Sequence, residues 1–259
     1  MISKNKKLLS KLQLLRSSGQ KGFAILIDPD KDNTRYFSAL AELLPNYPVD
    51  FIFVGGSFVK NGATDYCIEQ IKGFTDLPVI LFPGNYNQLS ARADALFFLS
   101  LISGRNPEYL IEQHIKSAPW LKENKLEVIP TSYIIISDST KASVLKASET
   151  KPISPKAEEK IVNTALAGYY LGHQLLYLEA GSGSEEPIPA SVIEQVAKTV
   201  DLPLICGGGI RNTEAAEEIC TAGADVVVIG NALEKNPFLL KSLSHRIKNY
   251  KAEHPNFQL

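Results

Sequence analysis

The segment Pro203-Leu-Ile-Cys-Gly-Gly-Gly-Ile-Arg-Asn212 joins a short apolar run to a cluster of glycines, and a helical pattern follows it. Two other segments in the last third of the chain have a related form. One apolar run ends in Tyr177-Leu-Glu-Ala-Gly-Ser-Gly183, and the other ends in Gly230-Asn231, which a helical pattern also follows. Glycine lets backbone N–H groups approach a ligand, and a helix N-terminus attracts an anion. Side by side, the three clusters predict a phosphate-binding cup, although such glycines also suit tight turns.

Strand-like apolar runs alternate with amphipathic segments along the whole chain. The eight runs are Gly22–Ile27, Phe51–Val54, Val79–Phe82, Ala95–Leu99, a run within Glu127–Ile136, Gln174–Leu178, Pro203–Cys206 and Asp225–Ile229. Helical patterns between most of them are typical of βαβ units. Eight units in 259 residues predict an α/β fold with one closed (β/α)8 barrel, a TIM barrel, as a single domain over residues 1–259. Only 12 residues separate Phe82 from Ala95, so we expect an irregular or missing third helix.

Two segments stand outside this alternation. Residues 1–18 carry leucines at 8, 9, 12, 14 and 15, a spacing that predicts a leading helix. Residues 137–155 are polar, with Lys, Ser and Thr interleaved, and follow the fifth run. We expect this second segment to be a mobile excursion that closes over the site.

Composition excludes several classes of function. The net charge is −1 and no basic stripe stands out, which gives no reason to expect nucleic-acid binding. No apolar run approaches the roughly 20 residues that span a bilayer, so we expect no membrane span. The three cysteines lack metal-site spacing and are interpreted as core thiols. Free thiols are typical of a reducing compartment, so we expect a cytoplasmic protein.

The residues that follow the eight runs are mostly polar or glycine. Ligand-binding groups of such barrels lie at the C-terminal ends of the strands. The residues at these ends are Asp28, Ser57, Asn85, Ser100, Ser132, Glu179, Gly207 and Gly230. Together they are expected to form the rim of an active site.

Asp28-Pro29-Asp30-Lys31 follows the first run. Mg²⁺ commonly takes one or two carboxylates and leaves its other positions to water and substrate phosphates. Asp28 with the hydroxyl of Ser57 fits that pattern, and Asp-Pro-Asp is equally good turn chemistry. We expect this pair on the opposite side of the barrel from the cup. Lys31 is interpreted as a turn residue outside the cup, and Arg211 suits either a phosphate contact or the helix surface.

Glu179 and Tyr177 are two residues apart on the sixth run, so they share one face of that strand. If the face points inward, a carboxylate and a phenol stand beside the cup. They could hold the hydroxyls of a small polyol phosphate, or Glu179 could accept a proton. A structural ion pair is the alternative for Glu179.

Six motifs together resemble the geranylgeranylglyceryl phosphate synthase family, which includes the bacterial heptaprenylglyceryl phosphate synthases. They are Leu26-Ile-Asp-Pro-Asp-Lys31, Val54-Gly-Gly-Ser57, Phe82-Pro-Gly-Asn85, Tyr177-Leu-Glu-Ala-Gly-Ser-Gly183, Cys206-Gly-Gly-Gly-Ile-Arg211 and Asp225-Val-Val-Val-Ile-Gly-Asn-Ala232. They extend over nearly the whole barrel in the family's order, and the form of the fourth looks like the larger of its two groups. The glycine turns alone are shared with many barrels, whereas the combination with Asp-Pro-Asp-Lys and Gly-Gly-Ser is specific.

The resemblance implies a Mg²⁺-dependent prenyltransferase in lipid biosynthesis. Such an enzyme joins a polyprenyl diphosphate, taken here as geranylgeranyl diphosphate, to the 3-hydroxyl of sn-glycerol 1-phosphate and releases pyrophosphate. The matching positions imply that Asp28 and Ser57 bind the metal and that Glu179 and Asp28 are catalytic. The implied glycerol-phosphate contacts are Tyr177, Leu178, Glu179, Ala180, Gly181, Ser182, Gly183, Gly208, Gly209, Gly230 and Asn231.

The resemblance also implies a homo-oligomer, either a dimer or a hexamer. An apolar groove is needed for the prenyl tail, and bulky residues deep in it would limit the chain length. The candidates are Phe82, Tyr86, Phe97, Phe98, Leu101 and Tyr133, and plain core packing is the alternative for each. Two other functions stay open from the residues alone. One is a sugar-phosphate isomerase or aldolase that uses Asp28 and Glu179 as an acid/base pair. The other is a barrel that binds a phosphorylated ligand without catalysis.

Overall fold

The strands close into one parallel barrel in the computed structural model, which describes residues 7–31, 33–60 and 62–250. The barrel order follows the chain order, so β1 pairs with both β2 and β8. The strands are β1 (Gly22–Ile27), β2 (Phe51–Val54), β3 (Val79–Leu81), β4 (Ala95–Leu101), β5 (Glu127–Ile135), β6 (Leu175–Glu179), β7 (Leu204–Gly207) and β8 (Val226–Ile229). The predicted (β/α)8 barrel is therefore confirmed, and all eight apolar runs form its strands.

Helices surround the barrel between most pairs of strands. They are α1 (Lys7–Ser18), α2 (Thr34–Leu43), α3 (Ala63–Lys72), α4 (Gln113–Glu123), α5 (Ser143–Ser148), α6 (Glu158–Tyr170), α7 (Ala190–Thr199), α8 (Thr213–Thr221), α9 (Asn231–Lys235) and α10 (Leu239–Lys248), and a π-helical turn, Glu108–Glu112, precedes α4. In the part of the chain described, no helix is both long and apolar enough to cross a membrane.

The connection between β3 and β4 contains a single 3₁₀ turn, Tyr86–Gln88, in place of an α-helix. This confirms the irregular third helix. The buried side chain of Gln88 fixes the turn, because its Oε1 accepts from Gly84 N at 3.1 Å and its Nε2 donates to Gly56 O at 2.9 Å. Gly55 also packs directly on the backbone of Phe82. The loops after β2 and β3 therefore form one rigid unit.

Helix α1 lies across the N-terminal end of the barrel. The carboxylate of Glu127, at the start of β5, accepts from Leu8 N at 3.0 Å and Leu9 N at 2.9 Å. Arg16 pairs with Asp225 at 3.2 Å, just before β8. The predicted leading helix is thus present from Lys7 to Ser18, and residues 1–6 lie outside the described residues.

Residues 137–155 carry α5 and contact the rest of the barrel. Ile136 and Ile153 form a parallel bridge. Tyr109 Oη donates to Ala147 O at 2.8 Å, and Asn106 Nδ2 donates to Ser148 O at 2.8 Å. The mobility of this segment stays a prediction.

Three of the expected rim residues have other roles. Strands β4 and β5 continue past the expected ends, so Ser100 and Ser132 lie within them on the outward face. Ser132 Oγ is 2.6 Å from His173 Nδ1, and Ser100 Oγ is 3.2 Å from His114 Nε2. The side chain of Asn85 accepts from Asn87 N at 2.8 Å and caps the 3₁₀ turn, and Asn85 also lines a small apolar cavity at the rim.

Candidate active site

A cavity of about 450 Å³ opens at the C-terminal end of the barrel. Its wall combines glycine backbone, several ionisable side chains and the phenol of Tyr177. The predicted site residues on this wall are Asp28, Ser57, Tyr177, Glu179, Ser182, Gly183, Gly208, Gly209, Gly230 and Asn231. The structure therefore brings most of the predicted residues together around one space.

Three predicted contacts lie behind this wall. The side chain of Leu178 belongs to the layer between strands and helices. Ala180 N donates to Gly207 O at 3.0 Å, and Gly181 N donates to Glu179 Oε1 at 2.9 Å. These two N–H groups stabilise the loop after β6, and any contact of this part of the loop with a ligand stays a prediction.

Backbone conformation and lack of space for a β-carbon, as well as ligand binding, explain the glycines after β7. Gly208 and Gly209 have φ of 84° and 73°, a backbone conformation that disfavours other residues. A β-carbon on Gly208 would lie 2.4 Å from Glu179 Oε1, and one on Gly207 would lie 2.9 Å from Glu179 Oε2. The cup is therefore shaped around the Glu179 carboxylate, which the sequence did not indicate.

Glu179 ends β6 and is buried. Burial raises the pKa of its carboxyl from 4.5 to about 7, and the hydrogen bond from Gly181 N opposes that rise. Because burial disfavours the charged form, Glu179 is poised to gain or lose a proton near neutral pH. Such a pKa suits a general base.

Tyr177 is fully buried, and its hydroxyl has no hydrogen-bond partner among the described residues. Its ring stacks on Phe82 with centroids 4.8 Å apart and meets the edge of Tyr133 at 5.6 Å. Burial raises the pKa of the phenol well above its usual value, so the group stays neutral. An unpaired buried hydroxyl on a cavity wall is a candidate contact for a polar ligand.

Asp28 and Ser57 stand at the ends of neighbouring strands β1 and β2. The Asp28 carboxylate packs on Gly56, where a β-carbon would lie 3.0 Å from Oδ1. Asp28 Oδ1 also accepts from Asp30 N at 3.1 Å. Over the described residues, His, Cys, Asp and Glu form no cluster of three that could hold a metal. One carboxylate and one hydroxyl still fit Mg²⁺, since this ion keeps several positions for water or phosphate oxygens.

The predicted placement of Asp28 opposite the cup is wrong in part, because closure of the barrel puts β1 beside β8. Lys31, which we placed outside the cup, lines the cavity. Its ammonium donates to Asn231 Oδ1 at 3.2 Å and to Glu234 Oε2 at 2.6 Å. The loop after β1 therefore touches the cup directly.

The two helices that follow the cup begin differently. Helix α9 begins at Asn231, directly after Gly230. Helix α8 begins farther from the glycines, and the side chain of Asn212 accepts from Ala215 N at 2.9 Å. Arg211 lines the cavity, and its guanidinium donates to Ser184 O at 2.9 Å. The expected helix N-terminus next to the glycines is therefore found for α9, whereas α8 begins farther from them.

A second, smaller cavity of about 70 Å³ adjoins the first and has a mainly apolar wall. The residues that line both cavities are Ser57, Pro83, Gly84, Leu99, Tyr133 and Val144. The predicted groove residues on the second wall are Tyr86, Phe97, Phe98, Leu101 and Tyr133, whereas Phe82 lines the main cavity. A polar cavity and an apolar cavity therefore lie side by side here.

A glycine cup and a buried carboxylate at the C-terminal mouth are the features expected of a (β/α)8 barrel enzyme that acts on a phosphorylated ligand. The chain belongs to the PcrB family, whose profile matches residues 16–250. It is 46% identical over 232 residues to the geranylgeranylglyceryl phosphate synthase of Chitinophaga pinensis, covering 90% of this chain and 92% of that protein. It is 50% identical over 219 residues to the synthase of Zunongwangia profunda, covering 85% and 93% of the two chains.

Solved structures agree with this assignment. The crystal structure of (S)-3-O-geranylgeranylglyceryl phosphate synthase from Thermoplasma acidophilum, in complex with its substrate sn-glycerol-1-phosphate, is similar with a TM-score of 0.86 and 35% identity. The similarity covers 94% of this chain and 99% of that one. A thiamine phosphate pyrophosphorylase from Pyrococcus furiosus, at 15% identity and a TM-score of 0.56, shares the fold.

Proposed function

We propose that the protein is a geranylgeranylglyceryl phosphate synthase. It transfers a polyprenyl group, taken as geranylgeranyl, from its diphosphate to the 3-hydroxyl of sn-glycerol 1-phosphate. The observation that carries the proposal is the wall that the two cavities share, which includes Ser57 and Tyr133 and places an apolar cavity beside the polar cup. A phosphorylated polyol and a long hydrocarbon chain need these two surfaces in one site.

The acceptor occupies the cup in this proposal. Gly208, Gly209, Gly230 and Asn231 surround its phosphate with backbone N–H groups. Tyr177 provides a buried hydroxyl for the glycerol part, and this hydroxyl has no hydrogen-bond partner among the described residues. The bound acceptor then presents its free 3-hydroxyl to the apolar side, and fixed orientation of this kind lowers the barrier.

Glu179 accepts the proton of the reacting hydroxyl. Its Oε1 is held by Gly181 N, so we assign the proton to Oε2, which lies beside Gly207. The hydroxyl oxygen forms a bond to the allylic carbon, the bond from that carbon to the diphosphate oxygen breaks, and pyrophosphate leaves. A carboxyl with a pKa near 7 suits this transfer at neutral pH.

Asp28 and Ser57 would hold Mg²⁺. When bound, the ion would neutralise charge on the diphosphate as it leaves. The structure supports the assignment because both groups line the main cavity and Ser57 also lines the apolar one. Leu99 and Tyr133 line both cavities too, and they exclude water from the allylic carbon.

The first alternative, an aldolase, needs a desolvated lysine as nucleophile. Lys31 and Lys235 line the main cavity, but Lys31 is 43% exposed and ion-paired with Glu234, and Lys235 is exposed, so neither side chain is desolvated. An isomerase that uses Asp28 and Glu179 makes no ether and needs no prenyl donor. The two classes are therefore separated by one assay of product chemistry.

That assay supplies Mg²⁺, geranylgeranyl diphosphate and labelled sn-glycerol 1-phosphate, with sn-glycerol 3-phosphate as the stereochemical control. We expect a labelled prenyl ether and an equal amount of pyrophosphate. The reaction should stop when a chelator removes the metal. If no ether forms with prenyl diphosphates of any chain length, the proposal is wrong.

We also propose that the protein is a cytoplasmic homo-oligomer, either a dimer or a hexamer. The three buried free cysteines suit a reducing compartment. Exposed Tyr170 and Leu171 at the end of α6, and exposed Ile111 and Ile115 near α4, provide apolar surface for subunit contact. Light scattering on the purified protein distinguishes a monomer, a dimer and a hexamer.

A further inference from the structure

A chain of hydrogen bonds crosses the mouth of the main cavity. Glu234 Oε2 accepts from Lys31 Nζ at 2.6 Å, and Lys31 Nζ also donates to Asn231 Oδ1 at 3.2 Å. Asn231 Nδ2 in turn donates to Ser182 Oγ at 3.3 Å. These hydrogen bonds connect the loop after β1, helix α9 and the loop after β6.

These hydrogen bonds determine which way the Asn231 amide points. An ammonium group only donates hydrogen bonds, so it stabilises the orientation in which the amide oxygen faces Lys31. The opposite orientation would place an NH₂ group against an ammonium. With its oxygen held by Lys31, the amide presents its NH₂ group to Ser182 and the cup.

The charges around the cavity give Lys31 a second role. Asp28, Glu179 and Glu234 line the same wall as Lys31, Arg211 and Lys235, and both proposed substrates are anionic. Of the three basic side chains, Lys31 is the one that donates to Asn231, a predicted phosphate contact, whereas Arg211 donates to Ser184 O. Backbone N–H groups provide only partial charges. The Lys31 ammonium is a full positive charge within hydrogen-bond distance of a predicted phosphate contact, and Glu234 balances it before an anion binds.

We propose that Lys31 is a positioning residue of the acceptor site, which orients the Asn231 amide and increases affinity for the phosphate of the acceptor. This inference rests on the proposed function, because it assigns the cup to glycerol phosphate. Glu234 is the resting counter-ion of Lys31 and contributes little to affinity itself.

The test combines calorimetric binding of sn-glycerol 1-phosphate with steady-state kinetics. Lys31→Met keeps the side-chain length and removes the charge. We expect binding to weaken by about tenfold, as is typical for the loss of a charge-assisted hydrogen bond, and KM for the acceptor to rise in proportion. We expect kcat and KM for the prenyl diphosphate to stay within about twofold, a pattern that a general loss of structure would not give.

Two further variants test whether Lys31 acts by orienting the Asn231 amide or only by holding its own loop to α9 through the ion pair with Glu234. Glu234→Gln breaks the same ion pair but leaves Lys31 on Asn231, so we expect affinity within about twofold of wild type. In an Asn231→Ala background, Lys31→Met should lower the affinity for sn-glycerol 1-phosphate by less than about threefold, because the amide that Lys31 orients is absent. Lys72→Met, which breaks a surface pair with Asp94 on the outside of the barrel, is the control for losing an exposed lysine.

Three outcomes would overturn the inference: unchanged binding in Lys31→Met, an equal loss in Glu234→Gln, or an undiminished effect of Lys31→Met in the Asn231→Ala background. If Lys31→Met fails to fold, the affinity of Glu234→Gln for sn-glycerol 1-phosphate is compared with that of wild type. A tenfold weaker affinity in Glu234→Gln would contradict the inference. Failure of the proposed function looks different, because wild-type protein would then not bind sn-glycerol 1-phosphate at all.

Discussion

The backbone N–H of Gly181 donates a hydrogen bond of 2.9 Å to Oε1 of Glu179, two residues earlier in the chain. The loop after β6 thus folds back on the carboxylate that ends the strand. This bond stabilises the charged form of a group whose burial stabilises the neutral form. The balance leaves Glu179 with a pKa of about 7, and the first prediction depends on it.

Glu179 should make the unliganded protein less stable as pH rises. Its pKa is about 7 when folded and 4.5 in its ordinary environment, so between these values the folded state holds a proton that the unfolded state has lost. The free energy of unfolding should therefore fall by up to about 3 kcal/mol between pH 4.5 and 7, and then change no further from this group.

Urea unfolding at pH 5 and pH 7.5, in a buffer without phosphate, measures this effect. Glu179→Gln keeps an acceptor for Gly181 N but cannot titrate, so the variant should gain stability relative to wild type at the higher pH. Burial lowers the pKa of His114 and His173, which titrate alike in both proteins and cancel in the comparison. An equal pH dependence in the two proteins would contradict the assigned pKa.

Gly208→Ala should remove acceptor binding through a clash rather than through backbone strain alone. Gly208 has φ of 84°, and a β-carbon there would lie 2.4 Å from Glu179 Oε1. Gly172→Ala is the matched control, since Gly172 has φ of 85° and no atom within 4 Å of the added carbon. Both variants should lose about 1–2 kcal/mol of stability from the left-handed conformation.

Calorimetry with sn-glycerol 1-phosphate should then separate the two alanine variants. Gly208→Ala displaces the Glu179 carboxylate and should abolish measurable binding, whereas Gly172→Ala should bind as wild type does. Equal affinity in the two variants would show that the space beside Glu179 is not needed for the acceptor.

Tyr177→Phe should bind the acceptor less well and lose little stability. The hydroxyl of Tyr177 is buried without a partner in the described residues, and the ring contacts with Phe82 and Tyr133 survive the change. Removing an unpaired buried hydroxyl is close to neutral or stabilising. Thermal unfolding should shift by less than about 2 °C, while acceptor KM rises about tenfold. A large fall in stability with normal KM would assign the hydroxyl a structural role.

Asp28→Ala should abolish prenyl transfer while largely sparing the cup. The carboxylate contacts Gly56 and Asp30 N on the loops after β1 and β2, away from the glycines after β7. Turnover should fall by at least about 100-fold, and the affinity for sn-glycerol 1-phosphate should change by less than about threefold. The same change in the neighbouring exposed residue, Asp30→Ala, controls for disturbance of the loop. Unaltered turnover in Asp28→Ala would remove this residue from the proposed metal site.

The strands were predictable from sequence because each is a compact apolar run that ends in a polar residue or glycine. The ends of β4 and β5 were not, because polar residues continue these strands. Ser100 and Ser132 face outward and are paired with His114 and His173 from the surrounding layer. Such partners are set by packing between elements, which local pattern does not encode.

The cup was predictable as a group of glycines, whereas its connections were not. The contact between Lys31 and Asn231 joins residues 200 positions apart and exists because the barrel closes β1 against β8. The fit of Gly207 and Gly208 around Glu179 likewise depends on the pairing of β6 with β7. Sequence alone located these residues at strand ends but not the atoms that meet there.

The position of α1 also determines when its contacts can form during synthesis of the chain. Its Leu8 and Leu9 N–H groups are held by Glu127, and its Arg16 is held by Asp225. The ribosome must therefore add more than 100 residues before the first of these bonds can form and about 200 before the second. Helix α1 therefore leaves the ribosome before the other described helices and is one of the last of them to be fixed in place. Until then its leucines lack many of the barrel residues that cover them in the folded protein.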